Sequence, residues 1–356
     1  MIKVRVLVVD DSVLARALIR AMIEMNKGLT VCGEAENGRQ AVAQALALQP
    51  DIITMDLQMP EMDGLQAIEE IMAVRPTPIL VLSDAADAQN AMAAVARGAL
   101  EATNKSATHD NPGFTERLKM LAGIPVIRHI RSKHPLIAPR FAMPAPPPLP
   151  ADREAGMRGG RIFAIAASTG GPQALAQLLS GLPADFPAPV LIAQHISDGF
   201  AAGMAAWLNS LCPLTVAIAQ EGERLVAGRI YLADCRMHLT ITPNQQIHLQ
   251  PRAERDIYRP SCDVMLTAVA EVFGPRAVGI ILTGMGHDGA QGMAAIRRAG
   301  GFTLGQDEAT SVVYGMNREA VMAGDVQSVL PLNAIANEMA WLARTPALEP
   351  IRWTPR

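Results

Sequence analysis

Short runs of β-branched and aliphatic residues alternate along this chain with longer stretches rich in alanine and leucine. The short runs are typical of strands and the longer stretches of helices, and their alternation is typical of a parallel sheet whose strands are connected by helices. A chain of 356 residues accommodates two domains at about 100–200 residues each. The pattern therefore predicts an α/β protein with two sheets.

Five strand-like runs fall in the first third of the chain, and helical patterns such as those at 12–25 and 39–48 separate them. Five strands with about five helices in this length predict a flavodoxin-like (βα)5 domain, which we place at residues 1–122. The strands are predicted at 4–9, 29–34, 52–55, 79–82 and 100–104.

Proline and glycine interrupt the alternation after this first domain. The stretch AMPAPPPLPADREAGMRGG suits neither a packed helix nor a central strand, because proline lacks the backbone donor and glycine is costly to order. We predict a semi-extended linker at 123–160, with a helical start at 126–133. The alternation resumes at Arg161 and predicts a second, doubly wound and mainly parallel α/β domain at 161–346, followed by a tail at 347–356.

The second domain should contain seven strands and five helices, most of the strands parallel because helices separate them. The strands are predicted at 162–167, 190–194, 215–219, 230–233, 246–250, 277–282 and 301–305. The helices are predicted at 173–179, 201–210, 264–273, 289–299 and 332–343.

Polar side chains follow four of the five strands in the first predicted sheet. Ligands gather at the carboxyl edge of a parallel sheet, so these side chains should share one rim. Clustered carboxylates repel one another unless a cation joins them, and Mg²⁺ takes carboxylate and phosphoryl oxygens. The set therefore predicts acyl-phosphate chemistry, although a capped and salt-bridged sheet edge remains an alternative. Its members are Asp10, Asp11, Asp56, Ser83 and Lys105.

The first domain resembles the response-regulator receiver domains. The resemblance rests on the spacing from Gly98 to Lys105 and on VLVVDDS at 6–12, MDLQMPEMDG at 55–64 and PILVLSD at 78–84. It implies a phospho-acceptor at Asp56, acidic Mg²⁺ partners at Asp10, Asp11 and Asp56, a switch hydroxyl at Ser83 and a phosphoryl contact at Lys105. Two positions depart from that family: Ser106 replaces a proline, and Ala102 replaces an aromatic residue.

A hydroxyl, an imidazole and a carboxylate follow three strands of the second predicted sheet. Ser168 comes directly after the strand at 162–167, His195 follows the strand at 190–194, and Asp288 lies just beyond the strand at 277–282. These are the groups of a serine nucleophile, in which the imidazole removes the proton and the carboxylate orients the ring. Their order along the chain is Ser, His, Asp, whereas α/β-hydrolases have the order Ser, Asp, His. The G-x-S-x-G motif of those enzymes is also absent.

Other interpretations of these residues stay open at this point. Ser168 with the two glycines that follow could form a phosphate- or nucleotide-binding turn. His195 could be a structural histidine, and His287 is a rival base. Asp288 could cap the helix predicted at 289–299, which is compatible with a role in a triad.

The second domain is similar to the CheB family of chemotaxis protein-glutamate methylesterases. The resemblance rests on AASTGGPQAL at 166–175, IAQHI at 192–196, YRPSCDVM at 258–265, ILTGMGHDGA at 281–290 and GMNREA at 315–320. It implies Ser168, His195 and Asp288 as the triad, with the backbone amide of Met285 as an oxyanion donor. Asn317 departs from the family, which usually has proline there.

The resemblance implies a hydrolase that removes methyl groups from receptor glutamyl γ-methyl esters and deamidates certain receptor glutamines. Methyl-accepting chemotaxis receptors and a histidine kinase would be its partners. The first domain would cover the edge that carries Ser168, and phosphorylation of Asp56 would expose it. A different class of protein, a phosphorylation-gated nucleotide-binding adaptor without hydrolase activity, is the alternative hypothesis.

Composition excludes several other classes. The net charge of −3 gives no reason to expect nucleic-acid binding. No apolar run approaches the roughly 20 residues of a membrane span, and the early acidic residues do not fit a signal peptide. The four cysteines form no C-x-x-C pair, which argues against zinc and disulfide chemistry. We therefore expect a cytoplasmic monomer without membrane insertion and without a cofactor in the second domain.

Overall fold

The computed structural model describes residues 3–84, 87–105, 113–126, 160–253 and 256–346. They form two compact units, each with its own parallel sheet. Ser106, the tail at 347–356, and almost all of the predicted linker with its helical start lie outside the described residues. Within the described part of the chain, no helix is both long and apolar enough to cross a bilayer.

The first unit is a five-stranded sheet in the order β2-β1-β3-β4-β5, with every strand pair parallel. This is the flavodoxin-like arrangement, so the predicted fold of the first domain is confirmed. Each predicted strand lies within one residue of its observed bounds. The elements are β1 Val4–Val9, α1 Val13–Glu24, β2 Leu29–Ala35, α2 Gly38–Leu48, β3 Ile52–Asp56, α3 Gly64–Val74, β4 Ile79–Ser83, α4 Ala88–Ala96, β5 Glu101–Asn104 and α5 Phe114–Ala122.

The central strands of this sheet read as continuous apolar runs because both of their faces are covered. Every residue of β3 and β4 is buried. Side-chain caps begin the helices that follow: Ser12 accepts from the amide of Ala15 at 3.3 Å, and Asp63 from that of Gln66 at 2.8 Å. A methyl group on Gly64 would overlap the carbonyl oxygen of Asp56, so glycine lets α3 begin close to the end of β3.

The second unit is a seven-stranded sheet in the order β14-β13-β12-β6-β7-β9-β8, again with every pair parallel. A separate antiparallel hairpin, β10-β11, lies outside it. The elements are β6 Ile162–Ala167, α6 Gly171–Ser180, β7 Val190–Gln194, α7 Ala201–Leu211, β8 Thr215–Ile218, β9 Arg229–Leu232, β10 Met237–Ile241, β11 Ile247–Pro251, α8 Cys262–Phe273, β12 Ala277–Ile281, α9 Ala290–Arg298, β13 Phe302–Gln306, α10 Met316–Met322, β14 Ser328–Leu330 and α11 Leu332–Arg344.

The predicted doubly wound, mainly parallel fold of this domain is confirmed, with two adjustments. The strand predicted at 246–250 belongs to the hairpin and not to the main sheet, and three elements were not predicted: β10, α10 and β14. The strand order reverses at β6, which lies between β7 and β12. Ligands of open α/β sheets bind at such a reversal, outside the carboxyl ends of the strands. The three strands predicted to carry Ser168, His195 and Asp288 are β6, β7 and β12, which are neighbours at this reversal.

Candidate active site

Ser168 lies at the carboxyl end of β6, where the chain turns sharply into α6. Its amide donates to the carbonyl of Thr283 at 3.1 Å, and its carbonyl accepts from the amide of Gly171 at 2.8 Å. The turn needs a left-handed residue, which Gly170 supplies with φ of 77°. Ser168 is 7 % exposed, so the nucleophile is buried and not on open surface.

His195 bridges Ser168 and Asp288. It follows β7 directly, and its amide donates to the carbonyl of Ala167 at 3.0 Å, which continues the pairing between the two strands. Its Nδ1 lies 3.1 Å from Ser168 Oγ, and its Nε2 lies 2.7 Å from Asp288 Oδ2. In the chymotrypsin arrangement Nε2 faces the serine and Nδ1 the carboxylate; here the two ring nitrogens exchange places.

Asp288 is a buried carboxylate with four hydrogen-bond donors around it. Besides His195, it accepts from the amide of Cys262 at 2.6 Å, from the amide of Asp263 at 3.0 Å and from Ser261 Oγ at 3.0 Å. Burial alone would raise the pKa of Asp288, but the hydrogen bond and charge of His195 and the two amides outweigh it and lower that pKa. Asp288 therefore stays ionised and can hold the His195 ring.

Gln194 fixes the backbone at both Ser168 and His195. Its side chain is 1 % exposed, and Nε2 donates to the carbonyls of Ser168 and His195, each at 2.8 Å. Sequence reasoning missed this role, because a glutamine at the end of a strand carries no chemical signal of its own. Its position directly before His195 is the one feature that could have indicated it.

The loop that carries Met285 lies against the nucleophile. A Cβ on Gly284 would come within 2.7 Å of Ser168 Cβ, so only a glycine lets the loop approach this closely. Met285 is the next residue, and its side chain is 49 % exposed. The role of the Met285 amide as oxyanion donor stays a prediction.

His287 does not compete with His195 for the serine in this geometry. It is exposed, and its Nδ1 lies 3.5 Å from the hydroxyl of Tyr258. The Tyr258 ring stacks on the His195 ring, with centroids 5.2 Å apart and planes at 14°. Of the two histidines, His195 is the one in contact with Ser168, which favours it as the base.

Cys262 is a second group that sequence reasoning missed. Its Sγ lies 3.6 Å from His195 Nε2, and the residue is completely buried. Burial, with the nearby charge of Asp288, raises the pKa of the Cys262 thiol well above its usual value. A thiol held neutral in this way is a poor nucleophile, so the hydroxyl of Ser168 is the nucleophile that the site offers.

The first unit brings its predicted acidic residues together. Oxygens of Asp10, Asp11 and Asp56 lie within 4.8 Å of one another. Lys105 Nζ lies 2.6 Å from Asp10 Oδ2 and 3.2 Å from Asp56 Oδ2. Burial raises the pKa of Asp56 despite the opposing charge of Lys105, and the carboxylate of Asp10 raises it further. Ser83 is buried at the end of β4, the strand next to the one that ends in Asp56.

One of the departures from the family pattern has a structural explanation. Asn317 is fully buried in the first turn of α10, and its Nδ2 donates to the carbonyl of Gln306 at 3.1 Å and to Ser311 Oγ at 2.8 Å. Proline has no side-chain donor, so Asn317 adds a link between α10 and the end of β13. Ala102 lies within β5, where it pairs with Val81.

Comparisons with known proteins identify both domains. The CheB methylesterase family model matches residues 163–339, and the response regulator receiver domain model matches residues 6–111. The catalytic domain of Thermotoga maritima CheB methylesterase superposes with a TM-score of 0.50 at 34% identity, over 51% of this chain and 98% of that one.

Curated relatives align with almost the whole of this chain. A protein of Paramagnetospirillum magneticum named protein-glutamate methylesterase/protein-glutamine glutaminase 3 is 50% identical over 337 residues, which is 94% of each chain. A protein of Anaeromyxobacter dehalogenans named protein-glutamate methylesterase/protein-glutamine glutaminase 2 is 44% identical, over 96% of this chain and 97% of that one. The chain therefore belongs to the CheB methylesterase family, with a response regulator receiver domain preceding the methylesterase domain.

Proposed function

We propose that this protein is a phosphorylation-activated hydrolase that removes methyl groups from glutamyl γ-methyl esters of methyl-accepting chemotaxis receptors and deamidates specific receptor glutamines. The observation that carries the proposal is the chain of contacts from Ser168 Oγ through both nitrogens of His195 to Asp288. The names of the full-length relatives support the choice of substrate. Because the Ser168 hydroxyl is engaged by His195, no observation favours the nucleotide-binding adaptor.

In the proposed mechanism each group takes part in ester hydrolysis. Ser168 Oγ attacks the ester carbonyl carbon while His195 Nδ1 accepts the hydroxyl proton. Asp288 stabilises the imidazolium through Nε2, and the amide of Met285 donates to the oxyanion. His195 then returns the proton to the leaving methoxide, which departs as methanol. Water, deprotonated by His195, hydrolyses the acyl-enzyme and regenerates Ser168.

The first domain supplies the control. Asp56 accepts a phosphoryl group from a histidine kinase, with Lys105 and Ser83 contacting the phosphoryl oxygens. The three clustered carboxylates of Asp10, Asp11 and Asp56 fit a hard divalent cation, and Mg²⁺ held there would offset their charge and that of the phosphoryl oxygens. We place this protein in the cytoplasm, because its kinase and the methylated helices of its receptors lie there. We expect it to be a monomer.

Activation should depend on Asp56. With a methylated receptor as substrate, acetyl phosphate and Mg²⁺ are expected to raise methanol release by the full-length protein at least about 5-fold, the lower end of ordinary coupling between sites. Asp56→Asn should keep the basal rate and lose this increase, because the amide cannot accept the phosphoryl group. EDTA should abolish activation in the wild type.

Asp51 provides the matched control. It lies directly before β3, at the end of the strand opposite to Asp56, and accepts a hydrogen bond from the amide of Arg5 at 2.7 Å. Asp51→Asn should be activated like the wild type. Activation of Asp56→Asn to the wild-type rate would contradict the assignment of the phospho-acceptor. If neither the phosphorylated nor the unphosphorylated protein releases methanol, the proposed function itself is contradicted.

A single methyl group at Gly171 should disturb the esterase site. A Cβ there would overlap Gln194 Oε1 and lie 2.9 Å from Ala167 Cβ, so the Gln194 amide that holds Ser168 and His195 must move. Misplacement of a catalytic group by about 1 Å can cost 10²-fold in rate, so Gly171→Ala should lower kcat by about that factor. Gly123→Ala is the control, since its nearest contact would be 3.5 Å away. Equal rates for the two variants would contradict this role of Gln194.

A further inference from the structure

A second histidine–carboxylate pair is linked to Asp288 through Ser261. His238 belongs to β10 and is 5 % exposed, and its Nε2 lies 3.0 Å from Asp256 Oδ2. Its Nδ1 accepts a hydrogen bond from the amide of Ser261 at 3.0 Å. An imidazole nitrogen that accepts carries no proton, so the ring proton is on Nε2 and points to Asp256. Both ring nitrogens are therefore committed.

Ser261 connects this pair to the catalytic carboxylate. Its amide is held by His238, and its hydroxyl donates to Asp288 Oδ1 at 3.0 Å. The same hydroxyl accepts from the amide of Val264 at 3.3 Å, which makes Ser261 the N-cap of α8. Through these three contacts the position of Ser261 sets both the first turn of α8 and the orientation of the Asp288 carboxylate.

The two helix starts are tied together on the other side as well. Asp263, in the first turn of α8, accepts from the amides of Gly289 at 2.9 Å and Gly292 at 2.7 Å at the start of α9. Asp288 in turn accepts from the amides of Cys262 and Asp263. Each helix N-terminus thus binds a carboxylate from the other segment, which is a favourable placement for negative charge. A shift of Ser261 would move the whole arrangement relative to His195.

Resting on the proposed function, we infer that His238 and Ser261 are positioning residues of the esterase: His238 fixes Ser261, and Ser261 holds Asp288 Oδ1 so that Oδ2 faces His195 Nε2. Neither residue touches the reacting atoms. Their effect is exerted on Asp288 and, through it, on the His195 ring, so it should appear in kcat and not in KM.

The first test compares two histidine–carboxylate pairs on one hairpin. His238→Leu removes the acceptor for the Ser261 amide and is expected to lower kcat for methanol release about 10-fold or more, with KM within twofold. His238→Asn, whose amide oxygen can accept in place of Nδ1, should recover part of that loss. His248 is the matched control: it lies on β11, is exposed, and pairs with Glu221 at 3.1 Å. His248→Leu should leave kcat unchanged.

The second test does not depend on the folding of the His238 variants. Ser261→Ala should lower kcat about 10-fold in the wild type but have no further effect in an Asp288→Asn background, because residues that act through a shared partner are not additive. Ser261→Thr, which keeps the hydroxyl, should retain most of the rate. An equal loss in both backgrounds, or a His238→Leu kcat within twofold of the wild type, would overturn the inference.

Failure of the inference and failure of the proposed function are distinguishable by a spectroscopic readout. The proton between His195 Nε2 and Asp288 Oδ2 should give a far-downfield NMR resonance in the full-length protein, independently of any substrate. We expect Ser261→Ala to shift or broaden it and His248→Leu to leave it in place. An unchanged resonance in Ser261→Ala contradicts the positioning role, whereas absence of methanol release by the wild type contradicts the function.

Discussion

Ser168→Ala is expected to abolish hydrolysis of receptor methyl esters, with a fall in kcat of at least about 10³-fold and up to about 10⁶-fold, the range found when a serine nucleophile is removed. The alanine variant cannot form the acyl-enzyme, and water must attack the ester directly. The hydroxyl contributes little to folding, since its hydrogen bond is to the ring of His195, at 3.1 Å. Methanol release measured with full-length protein and methylated receptor checks the prediction.

The control for this variant is a serine in the same domain that makes a comparable hydrogen bond. Ser180 is exposed at the end of α6 and donates to the carbonyl of Gln177 at 3.0 Å. Ser180→Ala should hydrolyse the ester at the wild-type rate. A Ser168→Ala variant that folds, binds receptor and keeps more than a tenth of the wild-type kcat would contradict the assignment of the nucleophile.

Asp288→Asn is expected to lower kcat by about 10⁴-fold, as in other triads in which the carboxylate becomes an amide. The neutral amide cannot stabilise the imidazolium. Its NH₂ group can also donate to His195 Nε2, which leaves the ring proton on Nδ1, so that Nδ1 cannot accept the proton of Ser168. Geometry at Ser168 should stay intact. The pre-steady-state rate of acyl-enzyme formation, measured by quenched flow, should show the whole loss in the chemical step.

The same substitution should change how stability depends on pH. The pKa of Asp288 is lower in the folded state than its ordinary value of 3.8. The ionised carboxylate therefore stabilises the fold above pH 3.8, and this contribution is lost as the pH falls through the lower pKa of the folded state. Asp288→Asn should therefore destabilise the domain at neutral pH, and the difference from wild type should shrink in acid. Asp185→Asn is the control, since Asp185 is exposed and pairs with Arg344 at 3.2 Å. A pH-independent difference would contradict an ionised Asp288.

Much of the site could be predicted because its chemistry lies at strand ends. A strand of buried aliphatic residues is readable from composition, and in a parallel sheet every strand delivers its last residue to the same edge. Ser168 and His195 each follow their strands directly, so an error of one residue in a boundary does not hide them. Asp288 is farther from its strand, and its placement needed the loop to fold back toward β6.

Residues that act through others could not be found in this way. Gln194, Ser261 and His238 are ordinary polar residues in sequence, and their roles come from contacts with partners 23 to 27 positions away. Strand β10 is different, because its residues, MHLTI, alternate between apolar and polar as expected of a half-buried strand, and it could have been predicted. Strand β14 has three residues, too few for a periodic signal.

The short helix α10 was missed for a different reason. It has seven residues, and the polar side chain in its first turn, Asn317, is buried and donates to the carbonyl of Gln306 in another segment. A buried asparagine reads as a loop residue until its partner is known. Where the family usually has proline, Asn317 ties α10 to the end of β13 through its hydrogen bond to the carbonyl of Gln306.

The most direct test of this account labels the nucleophile and measures the reaction in the same sample. A fluorophosphonate, which reacts with an activated serine hydroxyl, should modify one site in the full-length protein, the peptide that contains Ser168, and methanol release from methylated receptor should fall in proportion to labelling. Asp288→Asn should label far more slowly. Undiminished methanol release from protein whose Ser168 is fully labelled would contradict the account.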